Sequence, residues 1–511
     1  MDYLLGIDLG TSGVKALLIR PDGSAVASAS SAYQLYSPQP LWSEQEPEDW
    51  WDGVCHAVGG VIAQAGIQAR EIRAIGLSGQ MHGSVFLDEH GNPLRRALLW
   101  NDQRTQAECD WITETVGHQR VVEWLSNPVL TGFTAPKAIW LRRNEPQVWV
   151  RVKRLLLPKD FIRLRLTGEY ATEVSDASGT AMFNVRKRAW ALELLDAIDI
   201  PADWLPPALE SPEVSGRVTE AAAAATGLAP GTPVVGGAGD QAAGAVGNGI
   251  VEPGIVSSTV GTSGVVFAYA AEPAVDPALR LHTFCHAVPG AWHIMGVMLS
   301  AGGSLQWYRD TFCAAERSVA DAIGTDPYEL LSREAERAPV GAEGLIFLPY
   351  LTGERAPWPD PLARGVLFGI TRRTDRSHAA RAIMEGVAFG MADSVQIMQE
   401  MNVPMGEVRA SGGGARSPFW RQIHADITGL DHVTINTDEG PAFGVALLAG
   451  VGAGIYGSVQ EACRSTIRVE TRTKPAPPAN ARYRELHAIY QGLYRHLKED
   501  FVRVSRFAES G

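Results

Sequence analysis

A six-residue stretch nearly repeats itself half a chain apart. Leu9-Gly10-Thr11-Ser12-Gly13-Val14 returns as Val260-Gly261-Thr262-Ser263-Gly264-Val265. Each copy lies between two apolar runs, so each reads as a β-hairpin whose tip exposes backbone N–H groups and two hydroxyls to an anion. One such hairpin would say little, because glycine turns between strands are common. Two copies, each opening its own half, predict a duplicated α/β fold whose two lobes close on a phosphate-bearing ligand. At 511 residues the chain also exceeds what one core ordinarily serves. A break at Val251-Glu252-Pro253-Gly254 divides it into expected lobes 1–250 and 251–511.

The elements around the two copies run in parallel. In the first half, Tyr3–Ile7, Val14–Ile19 and Ala25–Tyr33 read as strands, and a helix starts near Pro47 with Trp50, Trp51, Val54, Val58 and Val61 on one face. Ile72–Leu77 is a buried strand that empties into Ser78-Gly79-Gln80-Met81-His82-Gly83. In the second half, Ile255–Val260, Val265–Ala270, Phe284–Val288 and Trp292–Val297 are strands, and a long helix spans about Ser377 to Met401. Val408–Ala410 then leads into Ser411-Gly412-Gly413-Gly414-Ala415-Arg416-Ser417, with a helix from Pro418. A terminal amphipathic helix should turn Tyr483, Leu486, Ile489, Tyr490, Leu493 and Leu497 inward.

Candidate chemistry lies at the ends of these strands, where open α/β sheets bind ligands. Thr11, Ser12, Gly261 and Thr262 form the two phosphate turns; Lys15 adds a cation, and Asp8 stands where a carboxylate could hold Mg2+, directly or through water. Gly413 and Gly414 would let a purine or α-phosphate approach a helix N-terminus. Asp240 follows Gly236-Gly237-Ala238-Gly239, an acid at a helix start with open access. It could equally be an N-cap. Met81 and His82, on the loop after a strand, could face a polar substrate. Together these features read as an ATP-dependent small-molecule kinase.

Other readings fare worse. The Gly-Lys-Ser/Thr ending of a P-loop does not occur. Gly237-x-Gly239-x-x-Ala242 imitates a dinucleotide fingerprint, but no acidic residue ends a second strand about twenty residues later. His282-x-x-Cys285-His286 looks like a metal cluster, yet on a strand Cys285 faces away from the two histidines, which favours core or loop. The formal charge of −12 and the lack of a Lys/Arg-rich run argue against a nucleic-acid partner. No apolar run approaches the ~20 residues of a membrane span. The five cysteines are scattered without a C-x-x-C pair, and the chain enters a strand at once, so a cytoplasmic protein is expected.

Taken together, Gly6–Lys15, Gln80-Met81-His82-Gly83, Gly239–Gly244 and Ser411–Ser417 resemble the FGGY carbohydrate kinases, in the family's order and over nearly the whole chain. Pro40–Gln45, Trp100-Asn101-Asp102, Gly132–Lys137 and Tyr350–Arg355 look like its other recurrent segments. The resemblance implies two ribonuclease-H-like lobes of the actin and sugar-kinase superfamily, an active site in the cleft, ATP with Mg2+, and a possible homodimer. The Gln-Met-His-Gly element points to the branch that phosphorylates D-xylulose at O5. By the same resemblance Asp240 matches the catalytic base, and Met81 and His82 match the sugar-contacting pair, flanked by Gln80 and Gln241. Asp8 matches the metal-side Asp, and Gly413, Gly414 and Ser417 match the adenosine side. Gln241 departs from a frequent Asn, Ala356 from a frequent Thr, and Ala138 from a larger apolar residue, which bears on the sugar preference. A kinase of the same fold for ribulose, gluconate or another polyol is the nearest alternative, and a non-catalytic actin-like nucleotide switch a distant one.

Overall fold

The computed structural model describes residues 2–509. Its first sheet is built from β1 (Tyr3–Leu9), β2 (Gly13–Ile19), β3 (Ala25–Ala32), β4 (Ile72–Gly79), β5 (Val214–Arg217), β6 (Pro233–Val235) and β7 (Ala238–Gly239). The order is β5-β6-β4-β1-β2-β3, and β7 also pairs with β4. The hairpin partners β1, β2 and β3 run antiparallel, whereas β4, β6 and β7 lie parallel to their neighbours β1 or β4. The crossover from β3 to β4 is the helix α1 (Pro47–Ala65). It starts on Pro47 with Glu48 and Asp49 in its first turn, buries Trp50, Trp51, Val54, Val58 and Val61, and stops at Gly66 in the left-handed region. Two further helices matter to the site, α2 (Pro158–Thr167) and α3 (Asp240–Gly247).

The second sheet holds β8 (Gly254–Val260), β9 (Gly264–Ala270), β10 (His282–Cys285), β11 (Trp292–Met298), β12 (Met405–Ser411), β13 (Asp431–Ile435) and β14 (Val469–Thr473). Their order, β10-β11-β9-β8-β12-β13-β14, contains the six-strand path of the first sheet. β8, β9 and β11 correspond to β1, β2 and β3, β12 and β13 to β4 and β6, and the antiparallel edge β14 to β5. Only β10 is added, on the outer edge. The duplication read from the two turns is therefore a duplication of topology. Helices α4 (Gly302–Phe312), α5 (Pro327–Ala335), α6 (Arg376–Glu400) and α7 (Pro418–Thr428) pack around this sheet. α6 is buried on nearly every side, so the single stripe expected of it understates its burial.

Two last helices complete the fold, α8 (Pro441–Gly452) and α9 (Pro477–Glu509). α8 comes from the second half of the chain, yet it lies flat on β1 and β4 of the first sheet and against α3. Gly6 and Gly76 permit this approach, since a Cβ on either would overlap the backbone of Ala442 or Val445. α9 starts at Pro477 and buries Tyr483, Tyr490 and Leu493. Ile489 is 52% exposed and lies off the inward stripe assigned to it. The His282-Cys285-His286 segment is core: the His286 Nε2 lies 2.9 Å from the Ile250 carbonyl, and His282 meets Asn127 at 3.2 Å. Among the described residues no helix is long and apolar enough to cross a membrane.

Candidate active site

Strand register assembles the first half of the site. Asp8 pairs with Ser78, and Ser78 with Ala238, so β1, β4 and β7 end side by side. One row further, Leu9, Gly79 and Gly239 align, and the next residues out are Gln80 and Asp240. Asp8 and Asp240 are both half-buried and close enough for the charge of Asp8 to bear on Asp240. Burial pushes Asp8 up to about 6 and Asp240 up to about 7, the latter raised further by Asp8. Asp8 Oδ1 is a buried acceptor with no hydrogen-bond partner in the protein. An orphaned carboxylate oxygen facing a second carboxylate is what a cation would satisfy.

The acceptor side forms where β4 ends. Met81 packs against Gly239, where a Cβ would come within 2.8 Å of the Met81 Cγ. His82 sits at φ 68° and is held there by its carbonyl, which accepts from Thr134 Oγ1 and Lys137 Nζ at 3.0 Å each. Its ring stacks on Phe133 with centroids 4.6 Å apart, and Nδ1 lies 2.6 Å from the Gly179 carbonyl. Since a carbonyl can only accept, Nδ1 carries the proton and Nε2 is left as an acceptor. Burial pushes this imidazole down to about 3, so it is neutral. The Gln241 backbone and side chain oppose part of the rise at Asp240.

At the first turn, Gly10 N donates to Gly13 O at 3.0 Å, and the Thr11 and Ser12 N–H groups have no acceptor among the described residues. The Thr11 hydroxyl is engaged within the protein: it accepts from Trp100 Nε1 at 2.9 Å and lies 3.4 Å from Gln80 Oε1, while Gln45 Nε2 donates to the Thr11 carbonyl at 2.6 Å. Lys15, expected to add a cation beside the turn, is ion-paired with Glu439, on the loop that precedes α8. Ser12 is exposed at the tip.

The second turn lines a cavity of about 770 Å³. Val260, Gly261 and Thr262 form one wall, Gly413, Gly414 and Ser417 another, and Leu305, Gln306, Tyr328, Ser332 and Phe419 close it. Ser417 caps α7 by accepting from Trp420 N at 3.2 Å, and its hydroxyl lies 3.2 Å from that of Ser332. Gly414 needs its missing side chain, since a Cβ would lie 2.6 Å from Val260 Cγ1. The volume suits a nucleoside with its phosphates.

Several contributors escaped the sequence reading. Gln45 and Trp100 were visible only as recurrent segments without a role, and α5 carries no chemical signature at all. Phe133, Thr134 and Lys137 lie in another such segment, and only the fold brings them onto His82 from about fifty residues away.

Comparison with known proteins identifies the family. Residues 3–247 match the N-terminal domain, and residues 256–453 the C-terminal domain, of the FGGY family of carbohydrate kinases. The chain is 38% identical over 510 residues to a xylulose kinase of Bacillus subtilis, covering all of both chains. It is 40% identical over 495 residues to one of Escherichia coli, covering 96% of this chain and 99% of that one. The crystal structure of a xylulose kinase from Rhodospirillum rubrum superposes with a TM-score of 0.90 at 30% identity, covering 98% of this chain and 99% of that one. Duplicated sheets, paired turns, a carboxylate pair and full-length similarity lead to one conclusion: this chain belongs to the FGGY family of carbohydrate kinases.

Proposed function

We propose that the protein transfers the γ-phosphoryl group of ATP to the 5-hydroxyl of D-xylulose. The observation that carries this reading is the placement of Asp240, beside Asp8 on one flank and Met81–His82 on the other. The names of its relatives support the sugar, as does the Gln-Met-His-Gly loop.

Phosphoryl transfer has a loose transition state, so positioning and charge neutralisation dominate. In this account Asp240 accepts a hydrogen bond from the attacking hydroxyl and takes its proton late, as bonding to phosphorus develops. A carboxylate raised to about 7 is a competent acceptor near neutrality yet still ionised in good part. His82 orients the sugar by accepting a hydrogen bond from a hydroxyl at Nε2, and Met81 supplies the apolar floor beside it. The free N–H groups of Thr11 and Ser12 receive phosphate oxygens from one lobe, and those of the second turn do so from the other. Asp8, with its orphaned oxygen, would hold the Mg2+ of the nucleotide, whose role is to offset phosphate charge. Closure of the lobes keeps water from taking the phosphoryl group in place of the sugar. The use of ATP supports a cytoplasmic setting for the reaction.

A coupled ATP assay over D-xylulose, D-ribulose, gluconate, glycerol and aldopentoses tests the substrate. D-xylulose should give a kcat/KM at least tenfold above any other acceptor; a preference for gluconate or a polyol would replace the sugar while leaving the kinase.

A further inference from the structure

Behind the acceptor loop lies a group of five charged side chains, all fully buried, that the transfer chemistry does not use. Lys159, Asp160 and Arg163 come from α2, and Glu173 and Asp176 from the one-turn helix Val174–Ala177 and the residue before it. Lys159 Nζ lies 2.7 Å from Asp160 Oδ1, 3.1 Å from Asp176 Oδ2 and 3.4 Å from Glu173 Oε1. Burying two cations with three carboxylates is a poor way to gain stability, since a well-packed apolar cluster commonly does as well or better. The arrangement therefore calls for another role, and its hydrogen bonds converge on one place.

That place is the turn leading into Asp240. Arg163 donates to the Val235 carbonyl at 2.7 Å and to the Gly236 carbonyl at 2.5 Å. Glu173 accepts from the Ser175 and Asp176 N–H groups at 2.7 and 2.9 Å, and from the Ser175 hydroxyl at 3.0 Å. The Ser175 Oγ in turn accepts the N–H of Gly239 at 3.1 Å. Gly239 immediately precedes Asp240, and Asp240 begins a helix of eight residues. On its other side α2 abuts the acceptor loop: a Cβ on Gly79 would meet Lys159 Cβ at 3.0 Å, and one on Gly83 would meet Pro158 Cγ at 2.5 Å. One buried assembly thus touches both the base turn and the sugar loop, and none of it reaches the nucleotide cavity.

We infer that Lys159, Glu173 and Ser175 form a positioning relay that sets Asp240 against the acceptor held by Met81 and His82, with Ser175 the residue that delivers it. The inference rests on Asp240 being the proton acceptor. Lys159 orients Glu173, Glu173 fixes the Ser175 hydroxyl, and that hydroxyl pins the backbone one residue from the carboxylate. A displacement of about 1 Å at a reacting group costs on the order of 10²-fold in rate.

Full-length Ser175→Ala and Glu173→Gln, with Asp240→Asn as reference, test the relay through separate kcat, sugar KM and ATP KM values and a thermal unfolding midpoint. The relay predicts that both variants lose at least tenfold in kcat with ATP KM within twofold of the wild type and the midpoint within a few degrees. A kcat within twofold for Ser175→Ala overturns it, and so does a loss that both variants share with a proportional rise in ATP KM or a large fall in midpoint. Should Asp240→Asn itself keep a wild-type kcat, the assignment of the proton acceptor fails first. An inactive Asp240→Asn beside a normal Ser175→Ala removes the relay alone.

Discussion

The two Gly-Thr-Ser-Gly turns share a sequence and a place in the topology, but not their surroundings. The first turn is gripped by side chains: Tyr33 donates to the Gly10 carbonyl, Gln45 to the Thr11 carbonyl and Trp100 to the Thr11 hydroxyl. The second is gripped by backbone. The Gly302 N–H donates to the Gly261 carbonyl at 2.8 Å, and the Ala301 and Gly303 N–H groups to the Thr262 carbonyl at 2.9 and 3.0 Å. Register extends the contrast. Where the first copy carries Asp8 and Lys15, the second carries Thr259 and Val266. Thr259 spends its hydroxyl on Ser411 at 2.8 Å. The two copies thus share a turn, while Asp8 and Lys15 have no charged counterpart at the matching positions of the second. In the proposed function the first lobe carries the transfer chemistry and the second holds the nucleoside.

This contrast separates the effects of substitutions. Asp240→Asn, in the first lobe, should lower kcat by at least about 10²-fold while ATP and sugar binding stay measurable by calorimetry. The wild-type kcat should fall as pH drops below about 7, because protonation removes the proton acceptor, and Asp240→Asn should lack that acid limb. Next in size, His82→Ala should raise the KM for sugar by about tenfold or more through loss of a buried hydrogen bond, with the KM for ATP unchanged. Equal changes in both constants would move His82 out of the acceptor site. Gly302→Ala should do the reverse. Its Cβ would overlap the Gly261 carbonyl and push the second turn, so the KM for ATP should rise severalfold and the KM for sugar should not. The smallest effect belongs to Glu439→Gln. Freeing Lys15 for phosphate should lower the KM for ATP about two- to threefold at low salt, and high salt should erase the gain, as for any partly exposed ion pair.

Much of this division was legible before any coordinates. Glycine-rich turns between apolar runs announce themselves because few other residues allow such close backbone approach, and Asp240 stands out for the small residues ahead of it. The loop at Gln80–His82 follows from its position after a parallel strand. Long-range partners left no trace. Lys15 and Glu439 are 424 residues apart, so their pairing shows only in the folded chain. The seating of α8 on the first sheet was hidden as well, since Gly6 and Gly76 resemble any strand glycine until a helix is found against them. Nothing in the local sequence marks Lys159, Asp160 and Arg163 as buried, because burial belongs to the fold and not to the segment. The adenosine side was half visible. Gly413 and Gly414 declare an open approach, but Tyr328 and Ser332 belong to an amphipathic helix with nothing in its pattern to mark a ligand.

The central claim is that charge in the first lobe serves transfer to a sugar hydroxyl. It is tested most directly by following ADP formation with and without D-xylulose while phosphorus NMR identifies the product. The account predicts at least a hundredfold stimulation of ADP formation by the sugar, with one 5-phosphate ester formed for each ADP. ADP formation at the same rate whether or not sugar is present, with inorganic phosphate as the product, would contradict it.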